Sequence, residues 1–264
     1  MAIPMFQVDA FTSKPFGGNP AAVCLLETWP DDARLQAIAA ENNLSETAYV
    51  VPEGQDFRLR WFTPTTEVAL CGHATLATAW VLLVHQARGD RVTFHTLSGP
   101  LHVHRTPHGL EMDFPASPPH EAAIPHGLVD TLGSPPERFL FVRRAPNAAY
   151  YLAVYETQAE VAALTPDILT MGETYRANII ATAPGDEVDF VSRFFAPASG
   201  IPEDPVTGSA HCALAPYWTQ RLGRNPVLGH QISRRGGHVH CQVVGDRVRL
   251  GGRCALFLEG QIVA

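Results

Sequence analysis

Charge is scarce in this sequence. Only 17% of its 264 residues are Asp, Glu, Lys or Arg, and the 26 acidic residues outnumber the 19 basic ones. No long basic run occurs, and the formal net charge is −7, which argues against nucleic acid or an anionic membrane as the partner. The five cysteines (Cys24, Cys71, Cys212, Cys241, Cys254) form no CxxC pair. Neither a disulfide framework nor a structural zinc site is expected, and a reducing cytoplasm is the easier setting. The N-terminus lacks a basic start followed by a long apolar run, so no signal peptide is expected. No window reaches eighteen uninterrupted apolar residues, which leaves no membrane span. No GxGxxG follows a strand, and neither GxxxxGK[ST] nor GxSxG occurs. Nucleotide cofactors and the commonest serine hydrolases thus lose their usual signals.

Apolar residues are plentiful at 46%, enough for a sizeable core, and they recur in a duplicated order. RWFTP at 60–64 is echoed by RFFAP at 193–197. CGHATLATAW from Cys71 is echoed by TGSAHCALAPYW from Thr207. The alternating LHVHRTPHGLEMDF at 101–114 is echoed by GHVHCQVVGDRVRLG at 237–251. The patterns predict strands at 3–10, 21–26, 47–52, 57–63, 91–96, 101–105, 109–114, 138–143, 148–154, 177–182, 188–195, 238–244 and 246–258. Helices are expected at 31–42, 72–87, 158–164 and 208–221, the first opened by Asp31 and Asp32. TLATAWVLLVH is apolar on nearly all sides and calls for burial all round. The expected fold is α+β, with two pseudo-symmetric halves, each a mostly antiparallel, barrel-like sheet around one apolar helix. The halves are taken as 1–117 and 118–264, with the last strand free to cross back. The Pro-rich stretch 115–137 is the linker candidate. This plan sets the two matching helix starts opposite each other, where exposed N–H groups suit a carboxylate.

Several side chains there could carry chemistry, and each also has a plain structural explanation. Glu46, in NNLSETAYVV, stands where the chain is about to become a core strand, although most such carboxylates are simply exposed. His73 sits in the first turn of the apolar helix, a position that favours a neutral imidazole. Asp204 precedes a Pro in a turn, which is ordinary. Gly72 and Gly208 suit close backbone approach, and Ser209 suits either an anion contact or a cap. Cys71 is a candidate acid or base thiol at a helix start. Its counterpart is Thr207, whose hydroxyl is too weak an acid for a symmetric two-thiol mechanism. The His102–His104 and His238–His240 pairs each share a strand face. No carboxylate or cysteine cluster accompanies the first, and Cys241 faces away from His240, so no metal is expected.

DAFTSKPFGGNPAAVCL, NLSETAYV, WFTPTTEVALCGHATLA, SGPLHVHR, MDFPA and FFAPASGIPEDPVTGSAHCAL together resemble the phenazine-biosynthesis isomerase-like (PhzF-like) family, which is related to diaminopimelate epimerase. The resemblance spans nearly the whole chain. It implies a fold of two pseudo-symmetric barrel-like halves, a homodimer, and no metal, flavin or nucleotide cofactor. The characterised phenazine member isomerises a dihydro-hydroxyanthranilate by moving a proton on a Glu. That role maps onto Glu46, with His73 and Asp204 as polar partners, and Gly72, Gly208 and Ser209 at the anion-contacting helix starts. The substrate implied is a small carboxylate. Asn178 stands near the duplicated place of Glu46, which suits a single base. Two other functions stay open: an amino-acid epimerase or racemase using Cys71, and a non-catalytic protein that binds a small carboxylate.

Overall fold

Period-two alternation sends much of this chain into strands, and apolar runs that lack it become helices. The computed structural model of the protein describes residues 2–145 and 148–263. The chain runs β1 (Ala2–Ala10), β2 (Asn19–Leu25), α1 (Asp32–Asn42), β3 (Glu46–Glu53), β4 (Asp56–Phe62), β5 (Glu67–Val68), α2 (Gly72–Trp80), β6 (Arg91–Thr96), β7 (Gly99–Thr106) and β8 (Gly109–Pro115). It continues through β9 (Arg138–Ala145), β10 (Ala148–Val154), α3 (Gln158–Ala163), α4 (Ile168–Glu173), β11 (Ile179–Pro184), β12 (Phe190–Phe195) and β13 (Glu203–Asp204). It closes with α5 (Gly208–Leu222), β14 (Val227–Gln231), β15 (Gly237–Val244), β16 (Arg247–Gly252) and β17 (Cys254–Val263). Two compact units result, Met1–Asp113 with Gly251–Ala264, and Phe114–Leu250.

In the first unit the hydrogen-bonded order is β17–β1–β2–β3–β4–β6–β7–β8, with β5 on β4. Only β2–β3 and β4–β6 are parallel. In the second unit the order β9–β10–β11–β12–β14–β15, with β13 on β12, repeats that plan. Its parallel pairs, β10–β11 and β12–β14, fall at the equivalent places. RWFTP and RFFAP lie at the ends of β4 and β12. In each unit the same fork ties the strand to the short strand beside it. Arg60 donates to both oxygens of Glu67 at 2.7 Å, and Arg193 to both oxygens of Glu203 at 2.8 and 2.9 Å.

Each unit holds one apolar helix against its sheet. Seven of the nine residues of α2 are buried, and the helix packs on β1, β2 and β3. In the second unit α5 packs on β14 and β15. Its Trp218 is fully buried, stacks on Phe190 at 5.7 Å and donates to the Thr182 hydroxyl at 2.9 Å. Pro216 lies inside α5 and cannot donate to the carbonyl of Cys212 one turn back. The Ser117 N–H takes that carbonyl instead, at 2.9 Å. The fold is therefore α+β, two units of one plan, each a mostly antiparallel, barrel-like sheet around an apolar helix.

Several elements depart from their expected bounds. The helix expected over 72–87 is regular only to Trp80. Val81–His85 then form a wider turn, in which the Gln86 N–H reaches back five residues to Val81 at 2.9 Å. Arg105 donates to the carbonyl of Leu83 in that turn. The single strand expected over 246–258 is two strands broken at Arg253, whose carbonyl is taken by Thr12 at 3.1 Å. At the break Gly252 lies against Phe11, and a Cβ there would sit 2.5 Å from the ring. Beyond it β17 runs to Val263 because β1 pairs with it throughout. The Pro-rich stretch is not a free linker. Ala116 donates to Asp246, His120 pairs with Phe141, and Leu128 and Leu132 are buried in the second unit's core.

Candidate active site

Asn43 ends α1 in the left-handed conformation, its N–H closing on Ala39 at 3.2 Å. That turn lets the chain double back, and Glu46 becomes the first residue of β3. Parallel pairing sets Glu46 beside Ala21 of β2, and the buried Thr47 is held by Asn42 at 3.1 Å. The Glu46 side chain is 19% exposed. Its Oε2 lies 3.3 Å from Nε2 of His73, the second residue of α2. The Cys71 thiol, just before the helix, lies 3.5 Å from the other ring nitrogen, Nδ1. Acid, imidazole and thiol, separated in sequence, thus meet at the start of α2.

Burial pushes the His73 imidazole down to about 4, against a smaller opposing effect of a backbone hydrogen bond at Pro20. At neutral pH the ring is therefore uncharged, and its approach to Glu46 is a contact of carboxylate with neutral imidazole rather than an ion pair. Neutrality was expected from the helix start; burial supplies it. The donor atoms of Glu46, Cys71 and His73 all lie within 4.8 Å of one another, and zinc takes all three ligand types. The carboxylate and the thiol, however, approach different ring nitrogens. The other histidine pairs are engaged elsewhere, His104 with Glu111 at 3.1 Å and His238 stacked on His230 at 4.3 Å.

The second unit builds its own polar turn. Asp204 ends β13, and Thr207 precedes α5 and donates to Asp204 Oδ2. Gly72 and Gly208 are the first residues of α2 and α5. Neither Cys71 nor Thr207 makes a side-chain cap, although Ser, Thr, Asp and Asn usually do so at that place. The Ser209 hydroxyl lies 3.2 Å from the Tyr150 hydroxyl. Asn178, expected near the duplicated place of Glu46, immediately precedes β11. Its amide donates to Ser199 at 2.8 Å and accepts from the Ala198 N–H at 3.0 Å, which makes it a structural tie. His211 matches Thr75 in the repeat. Its Nδ1–H donates to the Thr207 carbonyl at 2.8 Å, as the Thr75 hydroxyl does to Cys71 at 2.5 Å, and burial pushes it too down to about 4. Tyr150 and Gln231, which touch these groups, carry no local sequence signal; only strand pairing brings them there.

A cavity of about 400 Å³ opens elsewhere in the first unit, lined by Trp80, Val84, Arg105, Leu110 and Arg253. None of the residues gathered around Glu46 lines it.

Residues 8–260 match the family described as phenazine biosynthesis-like protein. An uncharacterised isomerase of Pseudomonas aeruginosa is 49% identical over 263 residues, covering 99% of each chain. The solved structure of a phenazine biosynthesis protein of the PhzF family from Enterococcus faecalis is 42% identical, with a TM-score of 0.91 over the whole of both chains. A protein described as a probable proline racemase, from Agrobacterium radiobacter K84, shares the fold alone. Its TM-score is 0.61 at 10% identity, covering 99% of this chain and 93% of that one.

Proposed function

Because this chain belongs to the phenazine biosynthesis-like family, we propose that it is a cofactor-independent isomerase, with Glu46 shuttling a proton on a small carboxylate substrate. The observation that carries this reading is the half-buried Glu46 carboxylate set 3.3 Å from a buried, neutral His73. Glu46 takes a proton from a substrate carbon, forming an O–H bond as the C–H bond breaks. The electron pair moves into a shifted double bond, and the Glu46 carboxyl, whose proton exchanges with solvent while it is held, delivers a proton to a second carbon. No redox partner is needed. The neutral imidazole beside the carboxylate adds no positive charge that would hold its proton off. The N–H groups at the uncapped start of α2 suit the substrate's carboxylate, and Asp204 and Ser209 keep the polar roles that family membership suggests. A homodimer in the cytoplasm belongs to the same proposal.

The 3.5 Å contact of Cys71 with His73 favours a second reading, an epimerase in which the thiol moves the proton. Solvent-deuterium exchange separates the two. Small carboxylates, beginning with dihydro-hydroxyanthranilate, are incubated with the enzyme in D2O and followed by NMR. The expected result is deuterium at a substrate carbon, a loss of roughly 100-fold or more in Glu46→Gln, and retention in Cys71→Ala. Exchange that survives Glu46→Gln rejects the shuttle, and exchange lost in Cys71→Ala with Glu46 intact moves the assignment to the thiol.

A further inference from the structure

Gln231 is fully buried at the end of β14, where parallel pairing sets it beside Ser192 of β12. Its amide makes three hydrogen bonds to the turn before α5. Oε1 accepts the Thr207 N–H at 2.9 Å, and Nε2 donates to the Asp204 carbonyl at 2.7 Å and to the Thr207 hydroxyl at 3.2 Å. A backbone N–H can only donate and a backbone carbonyl can only accept. The two main-chain partners therefore fix which end of the amide is oxygen, and that orientation fixes the rest. The Thr207 hydroxyl receives one amide hydrogen, and it gives its own single hydrogen to Asp204 Oδ2.

We propose that Gln231 is a positioning residue that turns the Thr207 hydroxyl onto Asp204, holding Asp204 as a hydrogen-bond acceptor for an amino or hydroxyl group of the substrate. Asp204 then orients the substrate and does not supply a proton. Among the described residues the arrangement is found in the second unit. At the equivalent register position, where Trp61 pairs with Val68 as Phe194 pairs with Asp204, the first unit has an apolar side chain. The charged and titratable groups around the turn leave this direction in place. Glu203, next to Asp204, is held in its fork by Arg193. His211 donates to the Thr207 carbonyl and is neutral, and His230, beside Gln231, stacks on His238. Glutamine itself does not titrate.

The inference rests on the proposed function only for the use of Asp204, so its test is made without substrate. The Asp204 carboxyl is followed by carbon-detected NMR titration in the full chain. Thr207→Val, which keeps the shape and removes the hydroxyl, is expected to raise the Asp204 midpoint by about one pH unit, because a hydrogen bond to the charged form has been lost. Thr207→Ser is expected to restore it. Gln231→Met, which removes the amide hydrogens and adds no charge, is expected to raise the midpoint in the same direction. Thr207→Val reads the hydroxyl's bond to Asp204, and Gln231→Met, or Gln231→Leu if that does not fold, reads whether Gln231 holds the hydroxyl there. A midpoint unmoved in either folded variant, or unrestored by Thr207→Ser, overturns the assignment. In Glu46→Gln the rise caused by Thr207→Val is expected to persist, so failure here is read separately from failure of the Glu46 shuttle. With an exchanging substrate in hand, Thr207→Val should raise KM about tenfold for the donor-bearing compound, and less for an analogue lacking that donor.

Discussion

A histidine held neutral by burial makes stability depend on pH. His73 and His211 each titrate near 4 in the folded chain, against an ordinary value of 6.5. Between those values the unfolded chain binds protons that the folded chain refuses. Stability is therefore complete above about pH 6.5 and falls as pH drops toward 4, by on the order of 3 kcal/mol for each histidine. Urea unfolding at pH 7 and pH 5 should show roughly 2 kcal/mol of this drop for each histidine, the rest falling below pH 5. His211→Asn, whose amide can still donate to the Thr207 carbonyl, should remove about half of it; an unchanged drop would rule out His211 as a source. The Glu46 position was legible because an acidic residue preceded a core strand. What local sequence could not show was the company it keeps. His73 and Cys71 come from a helix start more than twenty residues away, and the turn at Asn43 brings the carboxylate to them. Gln231 was invisible for the same reason, since its three partners come from another segment.

Strand β14 shows how an element can form without a pattern. VLGHQ is short, contains a glycine and was not expected as a strand. It exists because β12 pairs with it on one side and β15 on the other. Gly229 is required there by contact, since a Cβ would lie 2.4 Å from the Phe190 ring. Gly229→Ala is expected to cost about 1–3 kcal/mol in urea unfolding, and Phe190→Leu in the same chain should recover part of it by making room. A cost unaffected by the second change would place the strain elsewhere. In α5 the proline was visible in the sequence but its tolerance was not. Ser117, from the Pro-rich stretch, accepts the role of donor that Pro216 cannot fill.

At the scale of the whole chain, duplication is written in chemistry as well as in topology. The Arg60–Glu67 and Arg193–Glu203 forks sit at equivalent strand pairs, with each arginine 22% or less exposed. Arg193 also donates to the Leu164 carbonyl at 2.8 Å, and Arg60 to Asp32 at 2.8 Å, so each fork ties a neighbouring segment to its sheet. Replacing one arginine leaves a partly buried glutamate unpaired. Arg193→Met should therefore destabilise the protein by about 2–4 kcal/mol. Hydrogen exchange should rise first among residues 114–250, and Arg60→Met should act first on residues 1–113. Equal effects on both units from either change would argue against two separately held bodies. Among the described residues no helix is long and apolar enough to cross a membrane, in keeping with the missing apolar runs.

The amino-acid sequence alone determined the α+β class, the doubled plan and the family, because repeated motifs and period-two alternation are local properties that survive without coordinates. It also marked Glu46, His73, Cys71 and Asp204 as the side chains worth following. Only the tertiary structure decided which of them touch, that His73 is neutral through burial, and which way the hydrogen bonds run from Gln231 to Asp204. Those facts depend on distances between segments far apart in the chain, and such distances exist only after the strands have paired.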